Sequence, residues 1–184
     1  KQIDPGKLVY TFALGTQLLY DFLNDNPWCA TYPVNYTNKP SIVALNDNVV
    51  TINNAIEVDL YGQVCSESSG FRQITGTGGQ LDFVLAGYES RGGKSIVCLP
   101  SSYKDKEGKI RSRIVPYLPP GGIVTVSRTI NHIVVTEFGK VNMKGKNTWQ
   151  RAEGLINIAH PDTRDELIKA AEAQGIWRNS NKRG

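Results

Sequence analysis

The apolar residues of this chain recur with two different periods, and that division limits the folds it can adopt. The middle of the chain contains short apolar runs bounded by glycine, proline or polar turns, which is typical of buried strands. We predict strands at residues 49–59, 95–99, 122–127 and 133–136. Towards the end of the chain the apolar residues recur at helical spacing. Strands interspersed with helices predict an α/β layer structure.

The first residues predict a strand followed by a helix. Residues 7–13 are rich in aromatic and aliphatic side chains, which favours a buried strand. Leu18 and Phe22 lie at helical spacing, and Pro27 ends the helix because proline cannot continue it. Residues 32–36 then predict extended chain.

Two further local signals lie on either side of the predicted strand at 49–59. Residues 41–48 predict a short helical turn. Residues 63–66 can pair with the strand across Tyr61 and Gly62, which predicts a β-hairpin.

The two carboxy-terminal helices carry start and stop signals. Asn147 and Gln150 are spaced as a capping pair for the first helix, and Pro161 ends it. Asp162 is a candidate cap for the second helix. Gly175 is placed as the stop of that second helix.

Size and composition exclude several classes of protein. With 184 residues, of which 40% are hydrophobic, the chain can bury the core of one ordinary domain. Its apolar runs are far shorter than the roughly 20 residues that cross a bilayer, so we expect no membrane association. The net charge of +4 suits an anionic ligand, but no Lys/Arg stripe interleaved with aromatics indicates a nucleic-acid surface. We interpret residues 1–177 as one domain and residues 178–184 as a solvated basic tail.

The cysteines and histidines indicate neither a disulfide framework nor a metal site. Cys29, Cys65 and Cys98 are odd in number and far apart, which favours a reducing cytoplasm. His132 and His160 have no partner at metal-ligand spacing. A nucleophilic Cys65 or Cys98 paired with a histidine stays open, although buried structural cysteine is commoner.

Two glycine-rich segments are candidate ligand loops. Residues 75–80 (TGTGGQ) let backbone N–H groups approach a ligand oxygen, although a tight turn is the commoner use of such a cluster. Residues 92–95 (GGKS) end like a phosphate-binding loop. Tyr88 stands where that motif needs glycine, and Lys94 leads into a predicted strand instead of a helix. We interpret the second segment as a loop before a strand.

Three carboxylates are candidates for acid/base chemistry. Glu57 and Asp59 flank one residue of a predicted strand, so both point to the same face and could raise each other's pKa if buried together. Hydrogen bonds to neighbouring backbone or basic groups explain the same pattern. Glu137, at the end of a predicted strand, allows the same two interpretations.

Six segments of the chain match one family in order. They are residues 5–7 (PGK), 13–15 (ALG), 46–48 (NDN), 52–63 (INNAIEVDLYGQ), 76–83 (GTGGQLDF) and 159–162 (AHPD). They resemble the carboxy-terminal domain of acetyl-CoA hydrolase/transferases, closest to the 4-hydroxybutyrate and butyryl-CoA:acetate CoA-transferases. The resemblance implies an open mixed sheet flanked by helices, the CoA-transferase (NagB/RpiA-like) fold.

The resemblance also implies a two-domain enzyme with its active site in the cleft between the halves. A glutamate attacks the acyl-CoA thioester, and the resulting glutamyl-CoA thioester is resolved by a short-chain carboxylate. That glutamate precedes the Pro-Gly-Lys segment, so we expect it upstream of Lys1. The chain lacks both a signal peptide and a starting methionine, which favours a cut inside a longer protein. We therefore expect the fragment alone to be inactive.

Two residues acquire catalytic roles through the resemblance. Asn38 resembles the asparagine whose carboxamide donates to the oxyanion of the tetrahedral intermediates. Gly78 resembles its partner, which donates through the backbone N–H.

Other residues acquire substrate roles through the resemblance. Ile56 and Gly79 align with coenzyme A contacts. Lys104 suits a coenzyme phosphate, and Lys106 is the alternative because residues 105–109 can shift the register.

The resemblance implies a cytoplasmic homo-oligomer that uses coenzyme A as a substrate, with no tightly bound cofactor. Its other substrates are an acyl-CoA and a carboxylate such as 4-hydroxybutyrate, butyrate or acetate. Two alternatives stay open. One is an acyl-CoA hydrolase on the same scaffold, and the other is a non-catalytic coenzyme A or nucleotide binding module with residues 76–80 as its cradle.

Overall fold

A computed structural model describes residues 1–176, so the basic tail expected at 178–184 lies outside the described residues. The helices are α1 (Gln17–Leu23), α2 (Val34–Thr37), α3 (Pro40–Val43), α4 (Gln80–Glu89), α5 (Thr148–Asn157) and α6 (Arg164–Ala173), with a 3₁₀ turn at Pro161–Thr163. The strands are β1 (Leu8–Tyr10), β2 (Cys29–Thr31), β3 (Val50–Asn54), β4 (Glu57–Asp59), β5 (Val64–Cys65), β6 (Ser68–Ser69), β7 (Arg72–Gln73), β8 (Lys94–Cys98), β9 (Ser102–Lys104), β10 (Ile110–Ser112), β11 (Ile114–Val115), β12 (Ile133–Thr136) and β13 (Gly139–Asn142).

A four-stranded mixed sheet of order β13-β12-β8-β3 organises the domain. Strands β3, β8 and β12 run parallel, and β13 returns antiparallel to β12. Helix α4 packs against β3 and β8, and α5 packs against β13. Val97 and Val134 are paired across the sheet and fully buried, since parallel strands are usually covered on both faces. The expected α/β class, a mixed sheet with packed helices, is confirmed.

The single strand expected at 49–59 is two strands in two sheets. Strand β3 pairs with β8, whereas β4 joins a second sheet of order β11-β4-β5. The chain changes sheets at Ala55 and Ile56, whose N–H groups donate to Cys98 O and Cys65 O respectively. The predicted hairpin is confirmed, because β4 and β5 pair antiparallel across Tyr61 and Gly62.

The first 31 residues form a β1–α1–β2 unit that is largely uncovered. Strands β1 and β2 make a two-stranded parallel sheet, and no residue of α1 is buried. Phe12, Leu14 and Leu18 are 77%, 86% and 79% exposed. The predicted helix is therefore present, but its apolar residues do not contribute to the core of the described chain.

Both carboxy-terminal helices occur where the sequence predicts them. The Asn147 side chain accepts from Gln150 N at 3.0 Å, and the Gln150 side chain accepts from Asn147 N at 3.1 Å, which confirms the capping pair. The proposed Asp162 cap is wrong, because Asp162 lies in the 3₁₀ turn and α6 begins after Thr163. Gly175 follows α6 with φ +67°, as expected of a helix stop.

Two further sequence predictions fail and one helix is unexpected. Residues 32–36 are not extended, since α2 begins at Val34 and the carbonyl of its N-cap Pro33 accepts from Thr37 N. Residues 122–127 form no strand beyond a bridge between Val126 and Val64. Helix α4 follows directly after the glycine cluster, where the sequence favoured a turn between sheet elements.

Candidate functional site

A cleft of about 710 Å³ lies between the first residues of the chain, the α2–α3 segment and the start of α4. Its apolar lining comprises Ile3, Val9, Phe12, Val34, Ile42, Val43 and Phe83. Its amide-bearing lining comprises Asn38, Asn46, Asn53 and Gln80, beside the backbone of Gly78 and Gly79. An apolar cleft with a few convergent polar groups is the usual form of a small-molecule site.

Asn38 is held in the cleft with its amide group oriented. It is the C-cap of α2, and its backbone N–H donates to Val34 O at 3.0 Å. The Thr37 hydroxyl donates to Asn38 Oδ1 at 2.9 Å. Within residues 1–176 the Asn38 Nδ2 makes no hydrogen bond. The carboxamide therefore has its oxygen engaged and its NH₂ group available to a ligand.

Gly78 and Gly79 bring backbone donors to the same place. Gly78 has φ +55°, a left-handed conformation that favours glycine, and Gly79 is the N-cap of α4 without a capping side chain. The first N–H groups of a helix have no partner inside it, so they can bind an anion. A Cβ at Gly79 would collide with Asn38 Nδ2. The Asn38 amide thus lies directly against the backbone that begins α4.

Charged groups also line the cleft. Asp82 lies in the first turn of α4, and Lys1 and Asp4 contribute from the start of the chain. The Tyr36 hydroxyl donates to Asp4 at 2.9 Å, and this hydrogen bond raises the pKa of Tyr36. The Asp4–Tyr36 contact joins the first residues of the chain to α2, which supplies Asn38.

Sequence reasoning assigned no role to two polar side chains of the cleft. Asn53 Nδ2 and Gln80 Nε2 are both buried without a hydrogen-bond partner in the described chain. Asn53 precedes the last residue of β3, and ligands of open α/β sheets bind at the carboxyl ends of strands. Gln80 follows the glycine cluster directly. Both positions were therefore within reach of a sequence argument.

The expected coenzyme contacts are divided between the cleft and a second region. Gly79 lines the cleft, whereas Ile56 and Lys104 are not part of its lining. Ile56 is half-buried between β3 and β4. Lys104 is exposed at the end of β9, and Lys106 is exposed in the turn that follows.

Glu57 and Asp59 are both buried, but neither lines the cleft. Burial raises the pKa of Glu57, and the positive charge of Arg113 partly opposes that rise. Burial also raises the pKa of Asp59, against hydrogen bonds from Gln63, Tyr61 and Gly62. Neither carboxylate is a cause of the other's shift. Asp59 closes the β4–β5 hairpin, because its carboxylate accepts from Tyr61 N, Gln63 N and the Gln63 side chain.

The remaining candidates also have structural partners. Glu137 accepts from the Ser101 N–H at 2.9 Å and from its hydroxyl at 2.6 Å. The Cys65 thiol donates to Ser68 O at 3.2 Å. Lys94 begins β8, as expected of a loop that leads into a strand.

Two other kinds of feature are absent from residues 1–176. No three or more His, Cys, Asp or Glu side chains are grouped so that they could hold a metal ion. No described helix combines the length and apolar character needed to cross a membrane.

Comparison with known proteins identifies a family. Residues 15–171 match the model of the acetyl-CoA hydrolase/transferase C-terminal domain. The chain is 59% identical over 182 residues to a butyryl-CoA:acetate CoA-transferase of Anaerostipes caccae, covering 99% of this chain and 41% of that protein. It is 51% identical over 168 residues to a 4-hydroxybutyrate coenzyme A transferase of Clostridium kluyveri, covering 91% of this chain and 38% of that protein.

A solved structure supports the same relationship. RipA from Yersinia pestis superposes with a TM-score of 0.88 at 46% identity, covering 96% of this chain and 39% of RipA. The chain therefore spans about two fifths of the length of these relatives. Family model, sequence identity and fold agree: the chain belongs to the acetyl-CoA hydrolase/transferase family, as its carboxy-terminal domain.

Proposed function

We propose that this chain is the carboxy-terminal half of a coenzyme A transferase that moves coenzyme A between an acyl-CoA and a short-chain carboxylate. Butyrate, acetate and 4-hydroxybutyrate are the proposed carboxylates, in line with the names of its relatives. The observation that carries the proposal is the contact between the Asn38 amide and the backbone at Gly79, inside one cleft with Gly78.

The chemistry follows from these donors. Attack on a thioester places negative charge on the carbonyl oxygen of a tetrahedral intermediate. The Asn38 NH₂ group and the Gly78 N–H act as donors to that oxygen, and the positive end of α4 adds to the stabilisation. Thr37 fixes the orientation of the Asn38 amide before the substrate arrives, so little reorganisation is needed.

The nucleophile in this proposal is a glutamate that precedes Lys1 in the whole enzyme. Its carboxylate attacks the acyl-CoA carbonyl and the coenzyme thiolate leaves, which produces an acyl-glutamyl anhydride. The thiolate then attacks the glutamyl carbonyl and releases the carboxylate, leaving a glutamyl-CoA thioester that the acceptor carboxylate resolves. Lys1 and Asn38 line the same cleft, which supports a nucleophile carried by the segment before Lys1.

The coenzyme contacts are proposed for Ile56, Gly79 and Lys104, with Lys106 as the alternative phosphate partner. Coenzyme A is a substrate in this scheme, and no tightly bound cofactor is required. We place residues 1–177 in one cytoplasmic domain with a basic tail after it.

The uncovered β1–α1–β2 unit supports an amino-terminal partner domain. A two-stranded parallel sheet with a helix that buries nothing is not stable alone, and large exposed apolar patches mark interaction sites. The relatives are about two and a half times as long as this chain. The amino-terminal part of the protein is therefore the proposed occupant of this face. We also propose that the complete enzyme is a homo-oligomer.

One experiment distinguishes a coenzyme A transferase from the two alternatives, an acyl-CoA hydrolase and a non-catalytic binding module. The whole enzyme is incubated with butyryl-CoA, with and without acetate, and free thiol is followed against newly formed acetyl-CoA. A transferase forms acetyl-CoA only when acetate is present, a hydrolase releases thiol in both cases, and a binding module does neither. The isolated 184-residue chain is expected to form no acetyl-CoA, and Asn38→Ala in the whole enzyme to lower transfer about 100-fold.

A further inference from the structure

Arg113 occupies the junction between the β9–β10 hairpin and the buried β11-β4-β5 sheet. It lies between β10 and β11, so its backbone belongs to both regions. Its N–H donates to Ser101 O at 2.9 Å, and its carbonyl accepts from Val58 N at 3.0 Å. The hairpin is therefore attached to the sheet at this residue, and its second strand β10 also contacts the 3₁₀ turn Pro161–Thr163.

The Arg113 side chain contacts both of the coenzyme segments that lie outside the cleft. Its Nη1 donates to Ile56 O at 3.1 Å. Its guanidinium carbon lies 4.8 Å from the centre of the Tyr103 ring, a cation–π distance. Tyr103 directly precedes Lys104 in β9. The Arg113 guanidinium thus connects Ile56, where the chain passes from one sheet to the other, to β9, the strand that carries Lys104.

Within residues 1–176, two buried polar atoms beside this junction lack a hydrogen-bond partner. Arg113 Nε and Glu57 Oε2 are both buried without a hydrogen-bond partner in the described part of the chain. The two residues interact through charge, since Arg113 is the group that opposes the effect of burial on Glu57. Leaving buried charged groups incompletely bonded is costly. The contacts that fix the guanidinium in the described chain are those with Ile56 O and the Tyr103 ring.

We propose that Arg113 is a positioning residue that sets the separation of Ile56 and Lys104 and thereby the affinity for coenzyme A. The inference rests on the proposed function, because it takes Ile56 and Lys104 as coenzyme contacts. Arg113 itself does not touch the reacting atoms. Its loss lets the hairpin change angle, so the phosphate partner moves relative to the rest of the coenzyme while the oxyanion donors stay in place.

The test measures the KM for acyl-CoA and kcat in the whole enzyme for Arg113→Met and Arg113→Lys. Arg113→Met is expected to raise KM about tenfold while kcat changes less than about threefold, because ground-state binding is lost and the chemical step is not. Arg113→Lys is expected to fail to restore KM, since an ammonium cannot both donate to Ile56 O and stack flat on Tyr103. Full recovery with lysine would mean that charge alone matters and would overturn the positioning role.

Arg164→Met is the matched control. The Arg164 guanidinium makes the same two kinds of contact. Its Nε donates to Ala159 O at 3.0 Å, and its central carbon lies 5.9 Å from the centre of the Phe138 ring. Neither contact involves Ile56 or the strand that carries Lys104. Arg164→Met is expected to lower the melting temperature without the change in KM. Equal changes in KM for both arginine variants would assign Arg113 a merely structural role.

A milder variant covers the case in which Arg113→Met does not fold. Tyr103→Leu removes only a half-exposed stacking ring and is expected to raise KM about threefold. An unchanged KM in a folded Tyr103→Leu or Arg113→Met enzyme would refute the inference while the wild type still transfers coenzyme A. A wild type that neither binds nor transfers coenzyme A would instead refute the proposed function.

Discussion

The Asn38 amide nitrogen occupies the space that a Cβ at residue 79 would need. The contact joins the end of α2 to the beginning of α4, although 40 residues separate Asn38 from Gly78 along the chain. Neither element is close to the other in sequence, so their contact depends on the packed domain. A side chain added at residue 79 must therefore displace the Asn38 amide.

Gly79→Ala should displace Asn38 and lower kcat of the whole enzyme about 100-fold, the usual effect of losing one oxyanion donor. Gly76→Ala is the control, since no atom lies within 4 Å of a Cβ at that position and its φ is not positive. Steady-state kinetics of both variants test the prediction. Equal activity in the two alanine variants would show that the Asn38 position is not needed.

Thr37→Val should lower kcat about tenfold and leave the KM for acyl-CoA unchanged. The valine has nearly the same shape but lacks the hydroxyl that holds Asn38 Oδ1, so the amide is free to rotate away from the cleft. Thr37→Ser keeps the hydroxyl and should retain most of the activity. A serine variant as impaired as the valine variant would contradict this role.

Glu57→Gln should raise the free energy of unfolding at pH 7. Burial raises the folded-state pKa of Glu57 above the ordinary 4.5, so the charged form is disfavoured in the folded chain. The protonated Glu57 carboxyl gives the folded chain its full stability at pH values below the pKa of Glu57 in the unfolded chain. That stability is lost as the pH rises through the higher pKa of Glu57 in the folded chain. The advantage of the glutamine variant should therefore disappear as the pH falls below about 4.5.

Urea denaturation at pH 7 and pH 4 measures this difference. Glu89→Gln, at an exposed carboxylate of α4, is the control and should show no comparable pH-dependent gain. A Glu57→Gln variant that is less stable than the parent at pH 7 would show that the interaction with Arg113 outweighs burial.

Leu18→Asp should destabilise the whole enzyme but not the isolated chain. Leu18 is 79% exposed here, so an aspartate costs within about 0.5 kcal/mol in the isolated chain. In the whole enzyme the same carboxylate would be buried against the amino-terminal part without a partner. Unfolding midpoints of both proteins test this, with Leu155→Ala, at a fully buried position of α5, expected to cost about 2–5 kcal/mol in each.

Local signals predicted those parts of the fold that local interactions determine. The Asn147–Gln150 cap depends on residues three apart, and the β4–β5 hairpin is closed by a short turn and by Asp59. Both were predictable from the sequence. Residues 122–127 have the composition of a strand, but their hydrogen bonds do not form a regular ladder. Ile123 N donates to the Ser68 hydroxyl, and Thr125 N and Val126 N both donate to Val64 O. Such partners cannot be read from composition.

The candidate site was only partly predictable for the same reason. Asn38 and Gly78 were selected by resemblance to a family, since no local pattern connects them. Arg113 was missed because its importance comes from contacts with Ile56 and Tyr103, which are distant in sequence or in another strand. The glycine cluster was noticed, but the helix that follows it was not, because such a cluster is typical of a turn and Gly79 provides no capping side chain that would mark the start of α4.

The uncovered β1–α1–β2 unit has a consequence for how cells handle this protein. Wherever this face is left uncovered, it presents Phe12, Leu14 and Leu18 to water, and chaperones and proteases act on exposed apolar chain of this kind. A substitution that uncovers the face should therefore lower the abundance of the protein in cells as well as its stability in solution.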